Sequence, residues 1–210
     1  MSTVTGRAAL LLTLALAVLA PARATTMAPL TTPQLVDASD AVVRGTVTEV
    51  WTEPDAQGRV WTRASVVVQE VYKGDADATA VIVDQIGGAY GGKVTSVEGV
   101  ARFSVGEEAV FFLETLGSGH TVPVGMFQGK YTVRLDPYSR EEIVQRVIMP
   151  LRQSYDHRFL PLPDAELRLS LTDLEEQINA RVIQGWDGQP IPGASTERLS
   201  RINRLQPGVK

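Results

Sequence analysis

Two long runs of alternating apolar and polar residues set the terms for this chain. From Ala41 to Trp51, the residues Ala41, Val43, Gly45 and Val47 alternate with Arg44, Thr46 and Thr48. From Val60 to Tyr72, Ala64, Val66 and Val68 share one face. A period of two sends successive side chains to opposite faces, so each run predicts a half-buried strand. The stretch between them, Glu53-Pro54-Asp55-Ala56-Gln57-Gly58, reads as a turn, and strands joined so closely pair antiparallel. Gly45 interrupts its run and marks a bend or bulge of the kind barrels need.

The rest of the chain continues in the same key. Lys73-Gly74-Asp75 closes the second run as a turn in which Gly supplies positive φ. Thr79 to Gln85 is a third strand, and residues 87–92 (GGAYGG) open a long, flexible loop. Ala109 to Glu114 (AVFFLE) is apolar on both faces and predicts a central, buried strand. After the turn Gly117-Ser118-Gly119, His120 to Phe127 is the next strand, and Pro123 places it at an edge. Lys130 to Leu135 and Glu141 to Ile148 form a hairpin around Asp136-Pro137-Tyr138-Ser139. Residues 150–165 carry Pro150, Pro161 and Pro163 and read as a connector. Leu167, Leu169 and Leu171 alternate as one short strand. Thr172-Asp173-Leu174-Glu175 has the form of a capping box with Thr172 as N-cap, followed by a Leu174, Ile178, Val182 helical stripe to about Ile183.

These elements predict a mainly β protein, a small and partly open barrel of the oligonucleotide/oligosaccharide-binding (OB) type with a C-terminal hairpin and short helix. A two-sheet sandwich is the competing arrangement. The expected organisation is a signal peptide over 1–24, an OB-like β-barrel domain over 25–149, a connector, short strand and helix packing on the barrel over 150–184, and a flexible tail over 185–210. At the front of the barrel, Thr25 to Gln34 reads as an extended arm with Pro29 and Pro33, and residues 35–40 as one helical turn or a tight lead-in.

The N-terminus reads as an export signal. Arg7 supplies the positive charge, Ala8 to Ala20 is small or apolar apart from Thr13, and Ala22-Arg23-Ala24 fits a cleavage site before Thr25. That run is too short to span a bilayer, which takes about 20 residues, so no membrane anchor is expected after cleavage. The segment holds Arg7 and Arg23 and no acid, so its removal leaves 18 bases against 24 acids, a net charge of −6. An acidic chain is a poor nucleic-acid binder. The chain has no cysteine, which excludes a disulfide framework, a thiolate zinc site and a cysteine nucleophile. The expected location is periplasmic or secreted.

Catalytic chemistry is thinly represented. Of the two histidines, His120 opens a strand and His157 lies in the connector; both read as surface residues, and neither has a metal-ligand partner at useful spacing. No cofactor and no metal of its own is expected. GGAYGG lacks the Gly-Lys-Ser/Thr ending of a phosphate cradle. Glu107-Glu108 reads as the solvated end of a strand, and Trp51 and Trp61 as a cross-strand aromatic pair.

Ser39-Asp40-Ala41-Val42-Val43-Arg44-Gly45, followed by a long strand ending Val71-Tyr72-Lys73-Gly74, resembles the opening of the netrin-module and tissue-inhibitor-of-metalloproteinases (TIMP) superfamily. There an Asp-Val-Val-Ile-Arg-Ala-like strand opens an OB barrel and a later strand ends in a similar Lys-Gly turn. The resemblance covers roughly residues 25–135. The chain is also similar to exported bacterial proteins with this opening, a strand like Gly106 to Leu113 and another like Gln128 to Tyr131. In the inhibitors, the free N-terminal amine and first carbonyl chelate a protease's catalytic zinc. The resemblance thus implies that Thr25 supplies the chelating groups, Thr26 the specificity-pocket side chain, and Met27, Ala28 and Pro29 the rest of a partner-binding arm. The family's arm begins with disulfide-bonded cysteines, where this chain has Thr25, Met27 and Asp37. Without that staple, ordering the arm costs about 1–2 kcal/mol per residue of backbone, part of which Pro29 and Pro33 recover. The expected function is an exported, non-enzymatic binding protein, a candidate partner or inhibitor of an extracellular zinc metalloprotease. The alternatives are a structural or assembly protein of the cell envelope and an enzyme of unrecognised type.

Overall fold

A computed structural model describes residues 29–147, 166–194 and 198–200. The expected signal peptide, the arm residues Thr25, Thr26, Met27 and Ala28, the whole 150–165 connector with His157, and the last ten residues lie outside the described residues. The described residues are mainly β, with a large antiparallel sheet, a two-stranded hairpin sheet, and a helix near either end. In chain order the elements are helix α1 (Thr32–Ala38), β1 (Ala41–Pro54), β2 (Val60–Lys73), β3 (Ala80–Ile86), β4 (Gly88–Tyr90), β5 (Lys93–Thr95), β6 (Glu108–Thr115), β7 (Thr121–Pro123), a 3-10 turn (Met126–Gly129), β8 (Lys130–Leu135), β9 (Glu142–Val147), β10 (Glu166–Ser170) and helix α2 (Leu171–Gln184). The main sheet runs β10-β9-β8-β6-β1-β2-β3, and β7 pairs with the outer half of β6 beside β8. Among the described residues no helix is long and apolar enough to cross a membrane.

The doubly apolar run of β6 separates two cores. Val110 and Phe112 face one, with Val42, Tyr131 and Val144 from neighbouring strands and Leu35, Val36, Leu174 and Ile178 from the two helices. Ala109, Phe111 and Leu113 face the other, with Val43, Val47, Ala64, Val66 and Val83. Strand β1 splits in the same way, Val42 to the helix side and Val43 and Val47 to the opposite side. The register of β1 against β2 slips between Val42 and Val43, Arg44 and Gly45, and Val47 and Glu49. Gly45 therefore sits at a bulge, where a Cβ would lie 2.5 Å from the Val67 carbonyl oxygen.

The helices are tied to the sheet by polar contacts that no local pattern contains. Thr31 caps α1 in a reciprocal box with Gln34, so the end of the expected extended arm, Thr32 to Gln34, is helical. At the other end of α1, the half-buried Lys73 ammonium donates to the Val36 and Ser39 carbonyls at 2.7 Å each, taking up acceptors that a helix C-terminus leaves free. Arg181 of α2 forks onto Asp37 of α1, with Nε at 2.8 Å and Nη2 at 2.6 Å from its two oxygens. Both side chains are buried.

Several local expectations need correction. The N-cap of α2 is Ser170, which accepts from the Asp173 N–H, rather than Thr172. The inward stripe of α2 ends in Arg181, while Val182 turns outward. GGAYGG does not open a shapeless loop: it forms the β4–β5 hairpin, with Gly91 and Gly92 at positive φ in the turn. A two-residue Gly-Gly turn suits the twist of a hairpin. Within the stretch expected to be a flexible tail, Ile191 is buried against the helix-side core and Arg198 pairs with Glu114.

Candidate functional site

Where β3 and β7 meet, the sheet has a seam. Every pairing around β3-β2-β1-β6-β7 is antiparallel, so β3 and β7 run parallel to one another. The bonds from the Gly87 N–H to the Val60 carbonyl and from the Val68 N–H to the Thr79 carbonyl fix which groups of β3 face β2. By alternation, the backbone N–H and C=O of Ala80, Ile82, Asp84 and Ile86 point away from β2, into the seam. On β7, the Val124 N–H bond to the Phe112 carbonyl and the Leu116 N–H bond to the His120 carbonyl leave Thr121 and Pro123 facing the seam. Pro123 has no N–H to give. No strand ladder joins β3 to β7 among the described residues. A side chain bridges the seam instead, as Asp84 Oδ2 accepts the Thr121 N–H at 3.2 Å.

Asp84 is the hub of a small polar cluster. His120 Nδ1 lies 3.2 Å from Asp84 Oδ2, and Arg63 Nε lies 3.2 Å from Oδ1. The His120 ring stacks on Trp61, with centroids 3.8 Å apart and planes 13° from parallel. The expectation of a surface histidine is therefore wrong for His120, which is 7% exposed. Nor do the two tryptophans pair: Trp51 lies opposite Arg63, and Trp61 lies opposite Glu53. The Trp61 indole donates to Asp55 Oδ2 at 3.0 Å. Burial pushes the Asp55 carboxyl upward, but donation from Trp61, Arg59 and Gln57 outweighs it and holds the group well below the usual carboxylate range. Glu107 also departs from its expected role as a solvated strand end, since it accepts from Lys130 at 2.6 Å and Thr132 at 2.7 Å.

Two concavities flank this cluster. The larger, about 820 Å³, opens between the β1–β2 turn, the first half of β3 and the residues Ser118 to Thr121. The smaller, about 310 Å³, lies between Trp61, Ile86, Val122, Ala101 and Met126. Asp84 lines both. Among the described residues, no group of three or more His, Cys, Asp or Glu is placed to hold a metal ion.

The predicted arm meets the fold at Leu30. Its N–H donates to Gln128 Oε1 at 2.7 Å and its carbonyl accepts from Arg146 Nη1 at 3.0 Å. The Leu30 side chain is buried against Gly125, where a Cβ would come within 3.0 Å of Leu30 Cδ1. Pro29, the described member of the predicted arm, is exposed; Thr25, Thr26, Met27 and Ala28 lie outside the described residues. Gly125 and Met126 also line the smaller cavity, so the arm's root and the seam share one wall. Sequence reading gave no clamping role to Gln128, noted only within the Gln128 to Tyr131 stretch, and missed Arg146; they sit on a turn and a strand far along the chain. No protein-family model matches the chain, and no curated protein matches it; what the site does rests on its own geometry.

Proposed function

We propose that this is an exported, non-enzymatic binding protein built on an OB-like barrel, and that its arm, Thr25 to Pro29, engages a protein partner. In its most specific form the partner is a secreted zinc metalloprotease, with the Thr25 amine and carbonyl on the zinc and Thr26 in the specificity pocket. The barrel reading draws support from the bulged β1 and from the parallel approach of β3 and β7, two edges that curl toward each other. Export draws support from Arg7, the Ala8–Ala20 run and Ala22-Arg23-Ala24.

The observation that carries the reading is the double clamp on Leu30. A protruding arm binds well only if its root is held, because each residue left loose must be ordered on binding. In the inhibitors that this chain resembles, disulfides fix the arm; here Gln128 and Arg146 fix the residue from which it leaves. The test is inhibition of a metzincin-type zinc protease by protein beginning at Thr25, compared with protein carrying one extra N-terminal Ala. Inhibition abolished by the added Ala supports zinc chelation by the terminal amine. Inhibition indifferent to the Ala moves the contact to the barrel, and no inhibition across several such proteases refutes the protease form.

A second reading, an assembly protein of the cell envelope, is favoured by the outer face of α2. There Val182 is 37% and Ile183 87% exposed, side by side on a helix whose other face is buried. Truncation after Met149 that abolishes partner capture, with the arm intact, would select this reading.

A further inference from the structure

We propose that the smaller cavity of the seam binds a small, uncharged, mainly apolar molecule carrying a carboxamide. Its volume, about 310 Å³, is at the lower end of small-molecule sites, and its walls are largely hydrocarbon: Trp61, Ile86, Val100, Ala101, Leu116 and Met126. What distinguishes it from a packing defect is the strand edge that forms one side. The N–H and C=O of Ile86 point into the seam by the register of β3, where no strand ladder meets them among the described residues. Across the seam, the Pro123 carbonyl is directed the same way and Pro123 has no N–H to complete a ladder. An enclosed backbone group without a partner costs free energy. A carboxamide supplies one donor and one acceptor, the pair that a missing strand would have supplied, while its apolar remainder replaces water against Trp61 and Ile86.

The walls favour an uncharged ligand. The two carboxylates at the cavity each already face an arginine, Asp84 with Arg63 and Glu114 with Arg198. A charged ligand would find both of these carboxylates already compensated. A further mark of a built site is the backbone beside it: Met126 sits at φ 62°, directly after Gly125 at φ 60°. A non-glycine residue is costly there and persists where the surroundings impose it. The bond from the Phe127 N–H to the Gly99 carbonyl and that from Gln128 N–H to Gly125 impose it. They place a flexible thioether, which adapts to varied ligands, on the cavity wall.

The test is a titration of the ¹⁵N-labelled protein with benzamide, followed by amide and indole shifts in NMR, with N,N-dimethylbenzamide as the matched ligand without a donor. Saturable shifts at Ile86, Val122, Met126 and the Trp61 indole are expected, with a dissociation constant of about 1 mM, the order set by so few ligand atoms. The dimethyl compound should bind roughly fivefold more weakly, as one lost hydrogen bond to a buried backbone acceptor requires. Ala101→Leu, which fills the cavity, should abolish both. If that variant does not fold, the two ligands on the unaltered protein decide the matter alone. Shifts that fail to saturate, shifts that map elsewhere, or equal affinity for the two amides would overturn the proposal.

Discussion

Replacing Asp84 by Ala tests whether the seam is held by this one side chain. The substitution removes the acceptor of the Thr121 N–H, the carboxylate beside His120 Nδ1, and the partner of Arg63 Nε. Breaking a buried charged pair from one side costs about 3–5 kcal/mol. The lower end applies here, because the Arg63 side chain is 29% exposed and keeps Glu53 at 2.7 Å. The expected loss is about 3 kcal/mol, which for a domain of this size lowers Tm by roughly 6–12 °C. Asp84→Asn keeps an acceptor for Thr121 and should lose about half as much. Urea denaturation gives the stability, and amide hydrogen exchange gives the location. Exchange at Thr121 should accelerate more than at Val122, whose backbone pairs with Glu114 on the far side of β7. A loss below about 1 kcal/mol, or uniform exchange across β7, would refute the assignment of Asp84 as the bridge.

Three further outcomes follow from the geometry. Gly45→Ala should destabilise by about 3 kcal/mol in urea unfolding, because the new methyl meets the Val67 carbonyl at 2.5 Å and Val66 Cγ1 at 2.6 Å; a neutral result would mean that the bulge can relax. Asp55 has a depressed pKa when folded, so its contribution is present above the unfolded value of 3.8 and fades as pH falls below it. The stability gap between the native protein and Asp55→Asn should thus narrow below about pH 4, and a gap constant from pH 6 to pH 2 would contradict this. Asp37→Ala should cost about 3 kcal/mol by removing the buried partner of Arg181, which keeps only the more exposed Asp187 at 3.2 Å and Gln184 at 3.3 Å, whereas Asp37→Leu combined with Arg181→Met should recover most of that in a double-mutant cycle.

The elements legible in the sequence are those whose signal is local. Two-faced apolarity marks β6, alternation marks β1 and β2, the Asp-Pro-Tyr-Ser turn marks the β8–β9 hairpin, and Gly45 marks a bulge. Two local signals were present and misread. Thr31 and Gln34 have capping-box spacing, and Gly91-Gly92 is a hairpin turn. Ser170 is the cap instead of Thr172 because β10 ends at Ser170 and the helix begins at Leu171, two residues earlier than expected. The site itself was not legible. His120 is buried by Trp61 and Asp84, and Leu30 is clamped by Gln128 and Arg146. These partners come from different strands, and no spacing along the chain encodes their meeting. Pro123 was read as an edge residue, and it faces the seam; that it faces a second edge, β3, is a property of how the sheet curls.

The fork between Asp37 and Arg181 joins residues 144 apart in the chain. Closing so long a loop is slow, and proteins dominated by such distant pairings fold in milliseconds to seconds rather than microseconds. Helix α1 emerges first of the described elements yet cannot finish docking until α2, the last of them, arrives. Until then the core around Val42, Val110 and Phe112 lacks the cover of Leu171, Leu174 and Ile178. A chain of this design therefore completes its helix-side core late, which exposes it to association with its neighbours if the final helix is delayed.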